Sequence, residues 1–446
     1  MGNHKKLIRF LPADPAAAAA ALSSPRSLSS NSSVSDDDGY SSSSFPASTA
    51  SSPSRYSLST PPKSPWVHLP GLGADNGDAA ETTTGLIASL ATEDGKVYSL
   101  AAAGDVLYTG TDSANVRVWR DRRELTGFRT GSGLVKAIVV AGDGRIFTGH
   151  QDGKIRVWRA DADDPAVHRR VGSLPALGDF LMGSVNPSCY VETPRRGRSR
   201  RRGVWLRHSD AVSCLSLDED AGLLYSGSWD RTFKVWRVSD SRCLESVPAH
   251  DDAVNTIAAA GFDGLVFTGS ADGTVKVWRL EAADPKGDRT RNVLQRVLGK
   301  GESAVTAIAV SPQARVVYVG SSDGLVTYWR WGLDGEARYD GVLVGHKMAV
   351  MCLAVSGSVI VSGSADRTLC VWRRDDGAEH IRLAVLVGHT GPVKCVALAD
   401  EDENDADAER RFVVYSGSLD GSVKVWRLSE EHALEPAPAA ESLQYH

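Results

Sequence analysis

Gly320-Ser321-Ser322-Asp323-Gly324 spells Gly-x-Ser-x-Gly, the turn that presents a nucleophilic serine in many hydrolases. That chemistry needs a strand-to-helix elbow, with a His and an acid supplied from elsewhere. Here the turn lies between two strand patterns, and its Asp recurs in comparable turns along the chain. His, Ser or Thr, and Asp also recur together in four copies. Singly each copy resembles a catalytic dyad; as a set they indicate a scaffold. No P-loop is present, and no Rossmann fingerprint follows a strand and opens a helix. The six cysteines (Cys189, Cys214, Cys243, Cys352, Cys370, Cys395) include no pair at Cys-x-x-Cys spacing. Zinc or a disulfide framework would need clustering, so small buried side chains in a reducing compartment are expected. The chain is therefore expected to be non-enzymatic, with no catalytic, metal or cofactor site and no small-molecule substrate.

The elements that carry these residues repeat. Seven segments end in Trp-Arg: NVRVWR at Trp119, KIRVWR at Trp158, TFKVWR at Trp236, TVKVWR at Trp278, LVTYWR at Trp329, TLCVWR at Trp372 and SVKVWR at Trp426. Each follows a turn containing an Asp: Asp112, Asp152, Asp230, Asp272, Asp323, Asp366 and Asp420. Before each turn comes a short apolar strand such as LLYSGS or VIVSGS. Strand, Gly-containing turn and strand at regular spacing build hairpin sheets, and a unit of about 40–45 residues matches a four-stranded propeller blade. Trp158 and Trp236 stand 78 positions apart. The stretch between them has no further strand-and-turn unit, so residues 160–203 read as an insertion in blade 2 closed by an outer strand at Trp205. An all-β, seven-bladed propeller over 84–428 is expected. No strand pattern follows Trp426, so GLIASLA (Gly85 to Ala91) should supply the missing outer strand and remove an exposed sheet edge.

Residues 1–83 differ in kind. From Ser23 to Ser64, 19 of 42 positions are serine, with an alanine run before them. Such a segment has too little apolar area to offset an ordering entropy of roughly 1–2 kcal/mol per residue, so a disordered leader is expected. Ser24-Pro25, Ser52-Pro53, Thr60-Pro61 and Ser64-Pro65 are candidate phosphorylation sites. Residues 400–409 (DEDENDADAE) read as a solvated acidic loop in blade 7, and 429–446 as a flexible tail. A net charge of -5 argues against direct nucleic-acid binding. No apolar run of about 18 residues occurs, so no membrane-spanning helix is expected. MGNHKKLIRF is too charged for a secretory signal, and Lys6 stands where myristoylation at Gly2 would want Ser or Thr.

These segments resemble WD40 repeats over residues 84–428. That family's tetrad of His, Ser or Thr, Asp and Trp carries over onto His208/Ser226/Asp230/Trp236, His250/Thr268/Asp272/Trp278, His346/Ser362/Asp366/Trp372 and His389/Ser416/Asp420/Trp426. Glu93, Gly131 and Gly301 replace the His in blades 1, 2 and 5, and Val319 replaces the Ser or Thr of blade 5, so these blades are expected to be looser. SGSWDRTFKVWRVSDSRCLESVPAHDDAVNT, VGHKMAVMCLAVSGSVIVSGSADRTLCVWRRD and LPALGDFLMGSVNPSCYVE resemble the plant WD40 proteins of the Jingubang type more narrowly. The resemblance implies a non-enzymatic, monomeric scaffold in the plant cytoplasm and nucleus. It would dock partner proteins, transcription regulators among them, on the propeller face.

Two alternatives stand beside that reading. One is a ubiquitin-ligase substrate receptor, which the absence of Trp-Asp-x-Arg endings disfavours. The other is anionic-lipid binding through arginines. Arg195, Arg196, Arg198, Arg200, Arg201 and Arg202 form the densest basic run, read as a nuclear-import signal or a solvated loop. Arg120, Arg159, Arg237, Arg279, Arg330, Arg373 and Arg427 follow the seven tryptophans, and local pairs with Asp121, Asp161, Asp240, Glu281, Asp334, Asp375 and Glu430 are expected.

Docking is assigned to the turns. The residues before the turn Asp are Thr111, Gln151, Trp229, Ala271, Ser322, Ala365 and Leu419, of which Trp229 alone is a large aromatic. Exposed tryptophan wastes apolar area unless something covers it, and interface hot spots favour Trp, Tyr and Arg. Arg231, Tyr98, Lys136 and Lys394 are expected near it around the channel mouth. The alternative is that Trp229 packs on a neighbouring loop or stacks on Arg231.

If Gly85 to Ala91 closes the ring, deleting residues 1–80 should leave the melting temperature within a few degrees. Deleting 1–92 should yield insoluble protein. Expression and thermal melts of both truncations check this, and equal behaviour would contradict it.

Overall fold

A computed structural model describes residues 85–161, 164, 166–176, 190–193, 201–204, 206–282, 290–375, 379–401 and 411–429. Seven four-stranded antiparallel sheets are present, one for each Trp-Arg segment. Blade 3 shows the plan, running from its inner strand Val212–Asp218 through Leu223–Ser228 and Thr232–Arg237 to its outer strand Cys243–Pro248. The inner strands of the other blades are Val97–Ala103, Val135–Val140, Val254–Ala259, Val305–Ser311, Val350–Ser356 and Val393–Glu401. Second strands such as LLYSGS and LVFTGS are buried at every position, because each blade is packed on both faces. Strict alternation of apolar and polar residues is therefore absent where the ring is most tightly packed.

The ring closes through Gly85–Ala91. It pairs antiparallel with Ser422–Ser429, from Gly85 opposite Arg427 to Ala91 opposite Ser422, as the outer strand of blade 7.

Blade 2 departs from expectation. Its outer strand is His168–Leu174, which pairs with Ile155–Ala160 from Leu174 opposite Ile155 to His168 opposite Ala160. The stretch HRRVGSL was hidden inside the expected insertion because it opens on three polar residues. An outer strand exposes enough of itself to carry them. The added segment thus lies after Leu174, in the connection to blade 3, and includes a hairpin of Tyr190–Thr193 with Arg201–Val204. Trp205, Arg195, Arg196, Arg198 and Arg200 lie outside the described residues, as do the leader 1–83, residues 402–409 of the acidic run and the tail from 430. Asp400 and Glu401 end the inner strand of blade 7 instead of opening a loop.

Neighbouring blades meet at one repeated contact. Gly110, Gly149, Gly227, Gly269, Gly320, Gly363 and Gly417 stand on the second strands, each beneath the first valine of the next inner strand. Those valines are Val135, Val212, Val254, Val305, Val350, Val393 and Val97, the last across the seam between the chain's two ends. A Cβ on any of the seven glycines would come closer than 3.0 Å to valine Cγ1. Gly227→Ala should therefore overpack the interface and destabilise by about 1–3 kcal/mol. Gly133→Ala, where a Cβ meets nothing within 4 Å, should be nearly silent in the same denaturant melts.

Candidate functional site

The inter-blade connections and the turns between second and third strands share one end of the ring, here called the top. There the four complete tetrads form hydrogen-bonded chains. His208 Nε2 lies 2.8 Å from Ser226 Oγ and its Nδ1 3.0 Å from Asp230. The equivalent pairs measure 2.8 and 3.0 Å at His250, 2.8 and 3.2 Å at His346, and 2.9 and 3.0 Å at His389. Trp236, Trp278, Trp372 and Trp426 donate from Nε1 to Ser226, Thr268, Ser362 and Ser416. An indole can only donate, so the hydroxyl accepts from it and donates onward to a neutral His Nε2. Nδ1–H then donates to the carboxylate.

The same aspartates accept backbone N–H groups from Ser209, Asp251, Lys347 and Thr390, pinning each turn to the connection that brings the His. Burial lowers the pKa of His208, His346 and His389 although their aspartates oppose it. Burial alone would raise Asp230, but His208 and Thr232 outweigh it and hold the carboxyl well below its ordinary range. All four hydroxyls are fully buried, so none is presented for attack on a substrate.

The other three blades depart from this pattern, and two of them have substitutes. In blade 2, where Gly131 replaces the His, the second strand supplies His150, whose Nε2 lies 2.8 Å from Thr148 Oγ1. Trp158 donates to that threonine, and burial pushes the His150 pKa down to about 4. Asp152 turns instead to a bidentate pair with the buried Arg156. In blade 1 the turn is shifted by one residue from expectation. Ser113 holds the Asp position and accepts from the Asn115 N–H, whereas Asp112 sits one place earlier and accepts from the Lys96 N–H. Asp94 makes good the missing imidazole by binding Asn115 and Arg117. Trp119 and Trp158 are buried like the tetrad tryptophans. Blade 5 has no such substitute at Val319: its Trp329 is only partly buried and meets Tyr339 edge-on at 5.7 Å.

The top carries a feature that the sequence pattern hides. Every inner strand has a bulge after its first valine, leaving Tyr98, Lys136, Ser213, Asn255, Thr306, Met351 and Lys394 outside the ladder. A bulge re-aims the extra side chain. Ser213, Asn255 and Thr306 reach around the ring and donate to the carbonyls of Val254, Val305 and Val350. Lys136 reaches the same way, placing Nζ 4.1 Å from the Trp229 ring centroid and 6.0 Å from that of Tyr98.

Trp229, Lys136 and Tyr98 thus converge from blades 3, 2 and 1. Trp229 remains 37% exposed, in a turn fixed by its N–H to the Ala211 carbonyl. Its cation is Lys136 from the neighbouring blade and not Arg231. Arg231 holds a left-handed φ of 73°, where glycine stands in blades 2, 4, 5 and 7 and Arg367 in blade 6. Lys394 lies at the equivalent bulge of blade 7, on the other side of Tyr98 from Lys136.

Three of the arginines after the tryptophans show ion pairs, two of them with other acids than those expected. Arg237 meets Asp240 at 3.2 Å as foreseen, but Arg120 reaches Asp105 and Arg330 reaches Asp340, both at 2.8 Å. Asp161 and Asp334 bind Arg169 and Arg338. In the Gly-x-Ser-x-Gly turn, Ser322 Oγ accepts the Ala304 N–H at 3.0 Å, and a strand follows where the elbow requires a helix. Among the described residues no helix is long and apolar enough to cross a membrane, and no cluster of metal-ligating side chains occurs.

Asp230→Ala or Asp366→Ala removes the acceptor of a buried imidazole and should cost about 1–3 kcal/mol in denaturant melts. Asp323→Ala, in the blade without His or hydroxyl, should cost clearly less; three equal losses would contradict the network account.

The sequence matches the family described as WD domain, G-beta repeat at residues 122–159, 200–237, 241–279, 292–330, 338–373 and 381–427. The repeat left unmatched is that of blade 1, which lacks both the His and the aligned Asp. The chain is similar to a guanine nucleotide-binding protein subunit beta of Nicotiana tabacum, 30% identical over 166 residues, or 32% of this chain and 44% of that protein. It is 29% identical over 164 residues to the corresponding subunit of Oryza sativa subsp. indica, covering 32% and 43%. Similarity to the WD repeat-containing protein pop1 of Schizosaccharomyces pombe is 28% over 196 residues, or 37% and 23%. The matched stretch spans less than half the length of these relatives. With six matched repeats arranged as blades of one ring, the chain belongs to the WD40 repeat family.

Proposed function

We propose that this protein is a non-enzymatic scaffold that docks partner proteins on the top of its propeller through Trp229. One observation carries the reading: Trp229 is the large aromatic left exposed at a rigid turn tip, with Lys136 stacked on it and Tyr98 beside it. An anchor of this kind offers apolar area, a fixed rotamer and a charge at little ordering cost, as interface hot spots require. The relatives named as subunits of a larger protein favour a role in assembly. The Jingubang-type resemblance points to a regulatory role in the plant cytoplasm and nucleus.

Trp229→Ala tests the docking role. Partners captured by the tagged protein from its native tissue should be lost, by about 2 kcal/mol or more of affinity, while the thermal melt stays unchanged. A destabilised variant that still captures the same partners would show Trp229 to be a packing residue.

A further inference from the structure

We propose that the wedge between blades 4 and 5 binds a small organic monocarboxylate, at the end of the ring opposite the docking face. A cavity of about 230 Å³ opens there, beside the turn that joins the third strand of blade 5, Leu325–Trp331, to its outer strand, Ala337–Val344. Its floor is made of Leu265 and Val277 from blade 4 and Trp331 from blade 5, all buried. Two places after the repeat tryptophan, blades 3, 4 and 7 have the aliphatic Val238, Leu280 and Leu428, where blade 5 has Trp331. The Trp331 ring reaches toward blade 4 and meets Phe267 edge-on at 5.0 Å. The volume falls short of the roughly 300–1,000 Å³ of drug-sized pockets, so the ligand it suits is small, of the size of a single ring.

The rim decides the charge of that ligand. Asp334 pairs with Arg338 and Glu336 with Arg296, each at 2.5 Å, so both acids of the rim are already engaged. Asp263, two residues before Leu265, pairs with Arg315. Glu281, the acid expected to pair with Arg279, stands opposite Arg291 in the strand ladder. Arg279 lines the cavity, is exposed, and forms no ion pair among the described residues. Its Nη2 lies 4.0 Å from where a Cβ on Gly335 would stand, so the guanidinium spans the wedge to the turn of blade 5. A guanidinium presents two parallel N–H groups that match one carboxylate. A dianionic phosphate would face Asp334 and Glu336 as well, and a cation would meet Arg279 with both rim acids occupied. One carboxylate on an apolar body satisfies Arg279 while the body rests on Trp331.

The test uses the full chain with para-fluorobenzoate and its neutral isostere para-fluorobenzamide, read by fluorine NMR line width. The acid should bind at least about tenfold tighter than the amide, as expected of one hydrogen-bonded pair with a charged group. Arg279→Met should abolish that preference with an unchanged melt, because the exposed side chain has no ion pair to lose. Arg279→Lys should retain the preference in part. Gln295→Trp, at an exposed position on the cavity wall, should block both probes. Trp229→Ala should leave probe binding intact, so this site and the docking face stand or fall separately. Equal binding of acid and amide, tighter binding of the amide, a preference that survives Arg279→Met, binding that survives Gln295→Trp, or no line broadening at millimolar acid would each overturn the proposal.

Discussion

Each blade of this ring rests on the next through a glycine that has no room to be anything else. Seven second-strand glycines lie beneath seven first valines, and the seventh, Gly417 under Val97, spans the seam between the chain's ends. The contact sets the approach of adjacent inner strands and thereby the width of the channel. It also sits beside everything else that matters at the top. Gly227 follows the tetrad residue Ser226, and it pairs with Cys214, immediately after the bulged Ser213. Packing between blades, polarity within a blade and display at the mouth are fixed within a few residues of one another.

The buried polar chains are the second constraint. A His, a hydroxyl and an Asp invite a catalytic reading wherever they occur at hydrogen-bond distance. Here the indole fixes the direction of every hydrogen bond, and the hydroxyl it reaches is sealed from solvent. What the network achieves is attachment of a turn to a connection at the top of each blade. Blade 1 shows that other residues can make the attachment. Asp94 of the connection does it through Asn115 and Arg117, whereas in blade 2 His150 and Thr148 bond within one strand.

On that rigid rim the bulges decide which side chains are available to a partner. Where the bulged residue is short it serves the ring itself, as Ser213, Asn255 and Thr306 do. Where it is long it does not serve the ring in this way: Tyr98 and Met351 are buried, whereas Lys136 stacks on the partly exposed Trp229 and comes within 6.0 Å of the Tyr98 ring centroid. No blade contains this surface. It exists because the ring brings blades 1, 2 and 3 side by side, which also explains why residues far apart in the chain act at one place.

Much of the architecture was legible in the residues. Trp-Arg endings and turn aspartates count the blades, and the missing strand after Trp426 calls for Gly85 to Ala91, because a sheet edge must be paired. Four tetrads could be written down by position, since their members are tied to strand ends. The sequence misled where one residue of register or one strand's polarity carried the information. Asp112 stands one place before the true turn position, which Ser113 holds, and HRRVGSL reads as an insertion because an outer strand need not be apolar. The substitutes Asp94 and His150, the bulges and the Lys136–Trp229 stack were invisible beforehand. Local pattern reports what a residue does within its own hairpin, through a period of two and a turn. Which blade's side chain lies over which neighbour's is set by the ring's closure, and only the tertiary structure could decide it.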